Sequence, residues 1–308
     1  MDKFPIRVLS EMTGVAPTTL RAWERRYGLI KPFRTPKGHR LYTNDHVQLV
    51  KRVVDLLSEN YTISKAINAI HMDEIRQLNQ EIKTPQTSTD NKESDNHWET
   101  FIDRFLQAIE LFDDRKLEAV YNEAISLYPI DIVTINLLRP LLNRLGLRWE
   151  ERQAGIAEEH FFSAFLRNKI GARMHHASSR SHGSRLLLAC LPGEFHELGI
   201  LLFALSTMSR GYQVLFLGSD LPLTQIKPVT STTKVDAIIL SGSAVSLNPQ
   251  LISELNQLGL EQSVPVFLGG LISDSVNTEE LNNVTVLGNK YSEALGTLEN
   301  KIPAYQAF

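Results

Sequence analysis

A histidine with a carboxylate two residues before it is the first arrangement in this sequence that could do chemistry. Glu194-Phe195-His196-Glu197-Leu198-Gly199 lies between the apolar run RLLLACL and a second apolar stretch. A carboxylate so placed can orient an imidazole and raise its basicity as a metal ligand. Alone the constellation is weak, since a loop histidine ahead of a helix is more often plain surface. Further along stand Ser241, with forty-one residues between it and Gly199, and the pair Gly269-Gly270. Glycines there would let a ligand come close to the backbone. A second group is Trp149 followed, after nine intervening residues, by Glu159-His160; for Trp149 alone, burial in a helical core is the simpler reading. A third group is basic and near the N-terminus: Arg21, Arg25, Arg34, Lys37, His39 and Arg40. The single cysteine, Cys190, sits in RLLLACL and reads as a buried thiol with no internal disulfide partner.

The elements that must position these groups fall into three segments. In residues 1–76, Ile6, Val8 and Leu9 open a short helix that Gly14 stops, and Pro17 starts a second that Gly28 closes. Two short helices joined by a glycine-containing turn form a helix-turn-helix pattern. The stretch Lys31–Tyr42, with Pro36-Lys37-Gly38 at its centre, reads as a hairpin wing. A third helix is expected from a cap at Asn44 or Asp45, and Ile63, Ala66, Ile67 and Ile70 mark a fourth. Residues 77–96 are polar and read as a flexible linker. Residues 97–180 carry apolar side chains at three- and four-residue spacing, with Asp113 or Asp114 as an internal cap and Pro140 as a kink, and predict a four-helix bundle. Residues 184–308 alternate short apolar runs with amphipathic stretches. That is the mark of a parallel sheet covered by helices, a flavodoxin-like (Rossmann-like) α/β module. Such sheets bind ligands at the carboxyl ends of their strands, where His196, Ser241 and Gly269-Gly270 fall.

Charge separates the same segments. The chain carries −3 overall, yet residues 1–70 hold 12 of its 32 Lys+Arg against 6 of its 35 Asp+Glu. A basic head on an acidic body suits a polyanionic partner for the head alone. The second helix of such a head enters the major groove of DNA with its N-terminal residues on base edges. Thr18, Thr19, Arg21 and Arg25 are placed for that role, while Arg34, Lys37, His39, Arg40 and Tyr42 belong to the wing, whose basic residues would meet phosphates. The simpler alternatives are core packing for Leu20, Trp23 and Leu41 and a solvated face for the arginines. No apolar run reaches the length of a membrane span, and the N-terminus lacks the features of a secretory signal, so a cytoplasmic setting is expected.

Residues Thr19–Tyr42, TLRAWERRYGLIKPFRTPKGHRLY, closely resemble the MerR family of transcriptional regulators. The C-terminal pattern resembles the cobalamin-binding module of methionine synthase and base-off mutases: Asp-x-His-x-x-Gly, then Ser-x-Leu, then Gly-Gly. Here Glu194 stands in place of Asp, and Ser243 in place of Leu. The glutamate variant, together with Trp149-x9-Glu159-His160, resembles the cobalamin-dependent MerR regulators of the CarH/LitR kind. That resemblance implies His196 as lower axial ligand of cobalt, and Ser241, Gly269 and Gly270 around the nucleotide tail. It also implies Trp149, Glu159 and His160 on the upper, adenosyl side; an aromatic plane and a polar pair suit a nucleoside. In the best-known relatives a histidine directly follows the tryptophan; here the residue is Glu150.

The function so implied is that of a repressor, not an enzyme. It would sense light through adenosylcobalamin and bind operator DNA as a dimer or tetramer. Many MerR relatives dimerise through a long helix after the head; the polar linker here moves that role elsewhere. Two other readings share the sequence features: a repressor of the same fold that works without cobalamin or with another ligand, and a subunit of a cobalamin enzyme. The basic head argues against the last.

Overall fold

A computed structural model describes residues 3–35, 39–78, 92–148, 153–179, 181–243 and 248–304. The chain forms two compact units, Met1–Phe162 and Ser163–Phe308.

In the first unit, β1 (Phe4–Pro5) leads into α1 (Ile6–Thr13), which ends at Gly14, and α2 (Pro17–Tyr27) ends at Gly28. Both glycines have positive φ, 70° and 62°, the left-handed turn that lets a helix end abruptly. The wing is the antiparallel pair β2 (Phe33–Arg34) and β3 (Arg40–Tyr42), with Phe33 opposite Leu41. The turn at 36–38, and with it Lys37, lies outside the described residues. An unforeseen strand, β1, pairs with the other edge of β3, placing Phe4 opposite Tyr42. Helix α3 (Asn44–Ser58) is capped one residue earlier than expected, by Thr43, whose backbone N–H donates to Nδ1 of His46 at 3.0 Å. A histidine takes the reciprocal position usually held by Glu or Gln.

Helix α4 (Ile63–Leu78) and helix α5 (Lys92–Glu110) both run into the span expected to be a linker. Residues 77–78 and 92–96 are helical; 79–91 lie outside the described residues. Low hydrophobicity argues against a packed core, but an existing helix can propagate into polar sequence one hydrogen bond at a time. Helix α6 (Asp114–Leu127) is capped by Asp113, whose Oδ1 accepts from the Lys116 N–H at 3.0 Å. Helix α7 (Ile130–Val133) passes through a π-helical stretch, Thr134–Leu138, into α8 (Arg139–Leu147). This is the form taken by the expected irregularity at Pro140. Proline has no N–H to return to the preceding turn, and the Arg139 N–H reaches back five residues to Thr134 O. Helix α9 (Gly155–Ser178) completes the set, and the division between the two compact units falls within it.

The second unit contains a five-stranded parallel sheet: β4 (Arg185–Cys190), β5 (Gln213–Phe216), β6 (Ala237–Ser241), β7 (Val266–Gly269) and β8 (Val284–Gly288). Their order, β5-β4-β6-β7-β8, is that of a flavodoxin-like sheet. Between them run α10 (Leu198–Ser209), α11 (Ile226–Thr232) and α12 (Pro249–Glu261), and α13 (Tyr291–Lys301) follows β8. Leu187, Ala189, Ile238, Leu240 and Leu268 share one core with Leu251 and Leu255 of α12. Their neighbours Leu186, Leu188 and Ile239 are buried as well, and period-two alternation sends those to the opposite face. A strand buried on both faces reads as an unbroken apolar run, which is why RLLLAC stood out in the sequence.

Candidate functional site: the strand ends and the DNA-facing head

Strand register brings the candidate ligand residues together. Cys190 is opposite Ser241 across β4–β6, and Ser241 is opposite Gly269 across β6–β7. The three segments that follow, 191–196, 242–243 and 270–272, therefore leave one carboxyl edge side by side. They are stitched by Leu191 N–H to Ser241 O (3.0 Å), Gly242 N–H to Gly269 O (3.3 Å) and Ile272 N–H to Gly242 O (3.1 Å).

On this edge His196 is exposed, 59% at the side chain, while Glu194 is 1% exposed. One oxygen of the Glu194 carboxylate, Oε1, accepts the His196 backbone N–H at 2.7 Å and faces its ring Nδ1 at 2.8 Å. A carboxylate can only accept, so Nδ1 carries a proton, and in the neutral imidazole Nε2 then keeps the lone pair of a ligand atom. The other oxygen, Oε2, accepts the Ser243 backbone N–H and, at 3.0 Å, its hydroxyl. Four donors thus satisfy a carboxylate whose burial would otherwise be costly. The hydroxyl that Ser243 brings where the related pattern has leucine is the part the sequence flagged only as a departure.

Two further residues brace the loop. Asp220, in left-handed backbone (φ 50°) beyond β5, accepts the Gly193 N–H at 2.7 Å and donates its own N–H to Glu194 O at 2.9 Å. Arg167 of α9 pairs with Glu197 at 2.7 Å. Neither was found from sequence; the usable signal for Asp220 was its position just past a strand end. Cys190 is buried, and burial first, then the nearby Glu194 and Glu197, push its thiol pKa up to about 12, consistent with a structural thiol.

The glycines differ in what they require. Gly270 has φ 89°, and a Cβ there would lie 2.5 Å from Gly242 O and 2.8 Å from Ser241 Oγ. Only glycine fits that corner. A Cβ on Gly269 would meet nothing nearer than 3.9 Å, and one on Gly199, in the first turn of α10, nothing within 4 Å. Of the other group, Glu159 and His160 lie near the start of α9, with Nε2 of His160 3.8 Å from Oε2 of Glu159 and the histidine 70% exposed. Trp149 and Glu150 lie outside the described residues.

In the head, Thr18, Arg21, Arg25, Arg34 and His39 are exposed. Arg40 is half-buried and donates its Nε–H to Glu24 Oε2 at 3.0 Å. Two residues are not where the expectation put them. Tyr42 is buried, with the His46 ring edge-on 5.7 Å away, and that burial raises its hydroxyl pKa. Thr19 is 1% exposed and donates its hydroxyl to Ile125 O of α6 at 3.2 Å. In this conformation neither is presented to DNA.

Comparison with known proteins finds relatives for the head and for the helical segment. The MerR HTH family regulatory protein profile matches residues 4–72, and the B12 binding domain profile matches residues 101–173. The HTH-type transcriptional repressor CarH of Myxococcus xanthus is 31% identical over 88% of this chain and 90% of its own. The repressor CarA of the same organism is 28% identical over 94% of this chain and 92% of its own. Among solved structures, the Methanosarcina barkeri monomethylamine corrinoid protein superposes with a TM-score of 0.50 at 20% identity, covering 66% of this chain and 99% of that one. That likeness speaks for the fold of the helical and α/β parts.

A winged helix-turn-helix joined to a helical bundle and a Rossmann-like B12-binding fold defines a cobalamin-linked, DNA-binding transcriptional regulator. More particularly, the chain belongs to the CarH-like family of MerR-type regulators.

Proposed function

We propose that this protein is a cytoplasmic repressor that senses light through adenosylcobalamin and couples the ligand's state to self-association and operator binding, without catalytic turnover. The observation that carries the reading is the buried Glu194 carboxylate that fixes the exposed His196 imidazole at the carboxyl edge of the sheet. The residues fit the cofactor: an oriented imidazole with Nε2 unprotonated, and a corner at Gly270 where no side chain could stand. When bound, adenosylcobalamin would supply a cobalt centre that can take an imidazole nitrogen as ligand and a cobalt–carbon bond that light can break.

The chain's own residues do the rest. Glu194 holds the Nδ1 proton of His196, which leaves Nε2 as the atom that would hold cobalt, and Ser243 holds Glu194. Ser241, Gly269 and Gly270 would flank the nucleotide tail, with Gly199 at the start of the adjoining helix. Trp149, Glu159 and His160 are assigned to the adenosyl side by resemblance. The basic head supplies DNA contacts through Thr18, Arg21, Arg25, Arg34, Lys37, His39 and Arg40, and several heads in one assembly raise affinity by multivalency.

The test is an absorption spectrum of protein incubated in darkness with adenosylcobalamin and freed of excess, recorded before and after illumination, with size-exclusion chromatography of both samples. A bound corrin spectrum that changes with light, together with a change in assembly size, supports the proposal. Colourless protein of constant size would leave a MerR-type regulator that acts without cobalamin.

A further inference from the structure

The buried face of α2 meets the C-terminal end of α6, and the contact is built from hydrogen bonds that α6 cannot make for itself. The last carbonyls of a helix lack intrahelical partners and carry its negative dipole end. In α6 the Tyr128 N–H satisfies Ala124 O at 3.0 Å. Next in line is Ile125 O, whose partner four residues on would be Pro129, which has no N–H. Thr19 of α2 supplies the donor instead. Leu127 O receives the indole N–H of Trp23 at 2.8 Å in a fully buried bond. The Tyr128 hydroxyl, by contrast, stays within the bundle, 2.7 Å from Nε2 of His97 on α5. Two donors from the head thus cap one helix end of the bundle.

We propose that the C-terminal end of α6 is an internal docking surface for the recognition helix and competes with DNA for it. The proposal rests on α2 being the helix that enters DNA. The base-reading residues of such a helix lie in its first turns, where Thr19 is buried beside the exposed Thr18 and Arg21. A helix with its side chains is about 10–12 Å across, and the major groove is about 12 Å wide. The groove leaves no room for α6 on the same turns. DNA engagement therefore requires Thr19 and Trp23 to leave Ile125 O and Leu127 O, and whatever loosens this latch raises DNA affinity.

The test uses the full chain labelled with 5-fluorotryptophan, whose three tryptophans give separate 19F resonances; the Trp23 signal is the one lost in Trp23→Phe. The probe is a fluorescent duplex carrying the promoter region of the protein's own gene. We expect DNA to shift the Trp23 resonance. We also expect Trp23→Phe, which removes the indole donor to Leu127 O and keeps an aromatic ring in the head core, to tighten binding about five-fold, the effect of one hydrogen bond lost from the competing state. Thr19→Val, which removes the hydroxyl donor to Ile125 O at nearly constant volume, should act in the same direction. An unmoved Trp23 signal at saturating DNA, with both variants binding no more tightly than the parent, overturns the latch. Failure of the parent and both variants to retain any duplex at low salt would overturn the DNA-binding reading, and the latch with it.

Discussion

Ser243 and Glu194 are joined by two hydrogen bonds to one carboxylate oxygen, while the second oxygen holds both the backbone and the ring of His196. The imidazole is thereby fixed through a chain of contacts that crosses from the end of β6 to the end of β4. The orientation of His196 depends on a residue that never touches it.

His196→Ala should abolish retention of adenosylcobalamin in darkness. Glu194→Ala should weaken it about 10–100-fold, the usual effect of removing the group that orients a ligating imidazole. Absorbance of the corrin after gel filtration measures both. Full retention by the alanine variant at His196 would remove it as axial ligand.

Ser243→Ala removes the hydroxyl but leaves the backbone N–H on Glu194. It should lower unfolding stability by about 0.5–1.5 kcal/mol, the net worth of one hydrogen bond, and shift cobalamin affinity less than Glu194→Ala does. Urea titration and dark-state binding read the two effects separately.

Gly270→Ala places a methyl group 2.5 Å from Gly242 O at φ 89°. A strained backbone position of this kind costs about 1–3 kcal/mol, and the clash with main chain adds to it. Gly199→Ala meets nothing within 4 Å in a helix and should be neutral or stabilising by about 0.5–1 kcal/mol. Thermal unfolding of the pair distinguishes a required glycine from a permitted one.

Cys190 should resist alkylation in the native protein at pH 8, because burial holds its thiol protonated. Its native pKa, about 12, lies above the ordinary value of 9.0, so the unfolded chain loses this proton first as pH rises. The folded state is therefore favoured below pH 9, and that contribution declines between pH 9 and about 12. Denaturant midpoints should fall across this window, and Cys190→Ser should reduce the fall.

In the head, Arg21→Ala and Arg25→Ala should weaken DNA binding, and a variant that loses a phosphate contact should reduce the salt slope by about 1. Arg40→Ala should cost stability as well, since Arg40 also pairs with Glu24. Fluorescence anisotropy across a salt series checks the first, and thermal unfolding the second.

Most helices and all five parallel strands were legible because each depends on local rules. Gly14 and Gly28 end helices through positive φ, Asp113 caps one, and apolar runs mark strands covered on both faces. The strand β1 was not legible. It is two residues long and exists only because β3 offers it an edge. The helical ends at 77–78 and 92–96 were missed for a related reason, since propagation from a stable helix leaves little trace in composition.

The sequence by itself determined the kind of protein this is. Side-chain types at set spacings, Glu194-x-His196-x-x-Gly199 and the basic winged head, are local, and local chemistry can be read along the chain. Tertiary structure alone decided which partners those residues meet. Glu194 is satisfied by Ser243, forty-nine positions away, and Thr19 and Trp23 by carbonyls of α6 more than a hundred positions away. A buried polar group must find a partner wherever folding brings one near, and sequence distance carries no record of that choice.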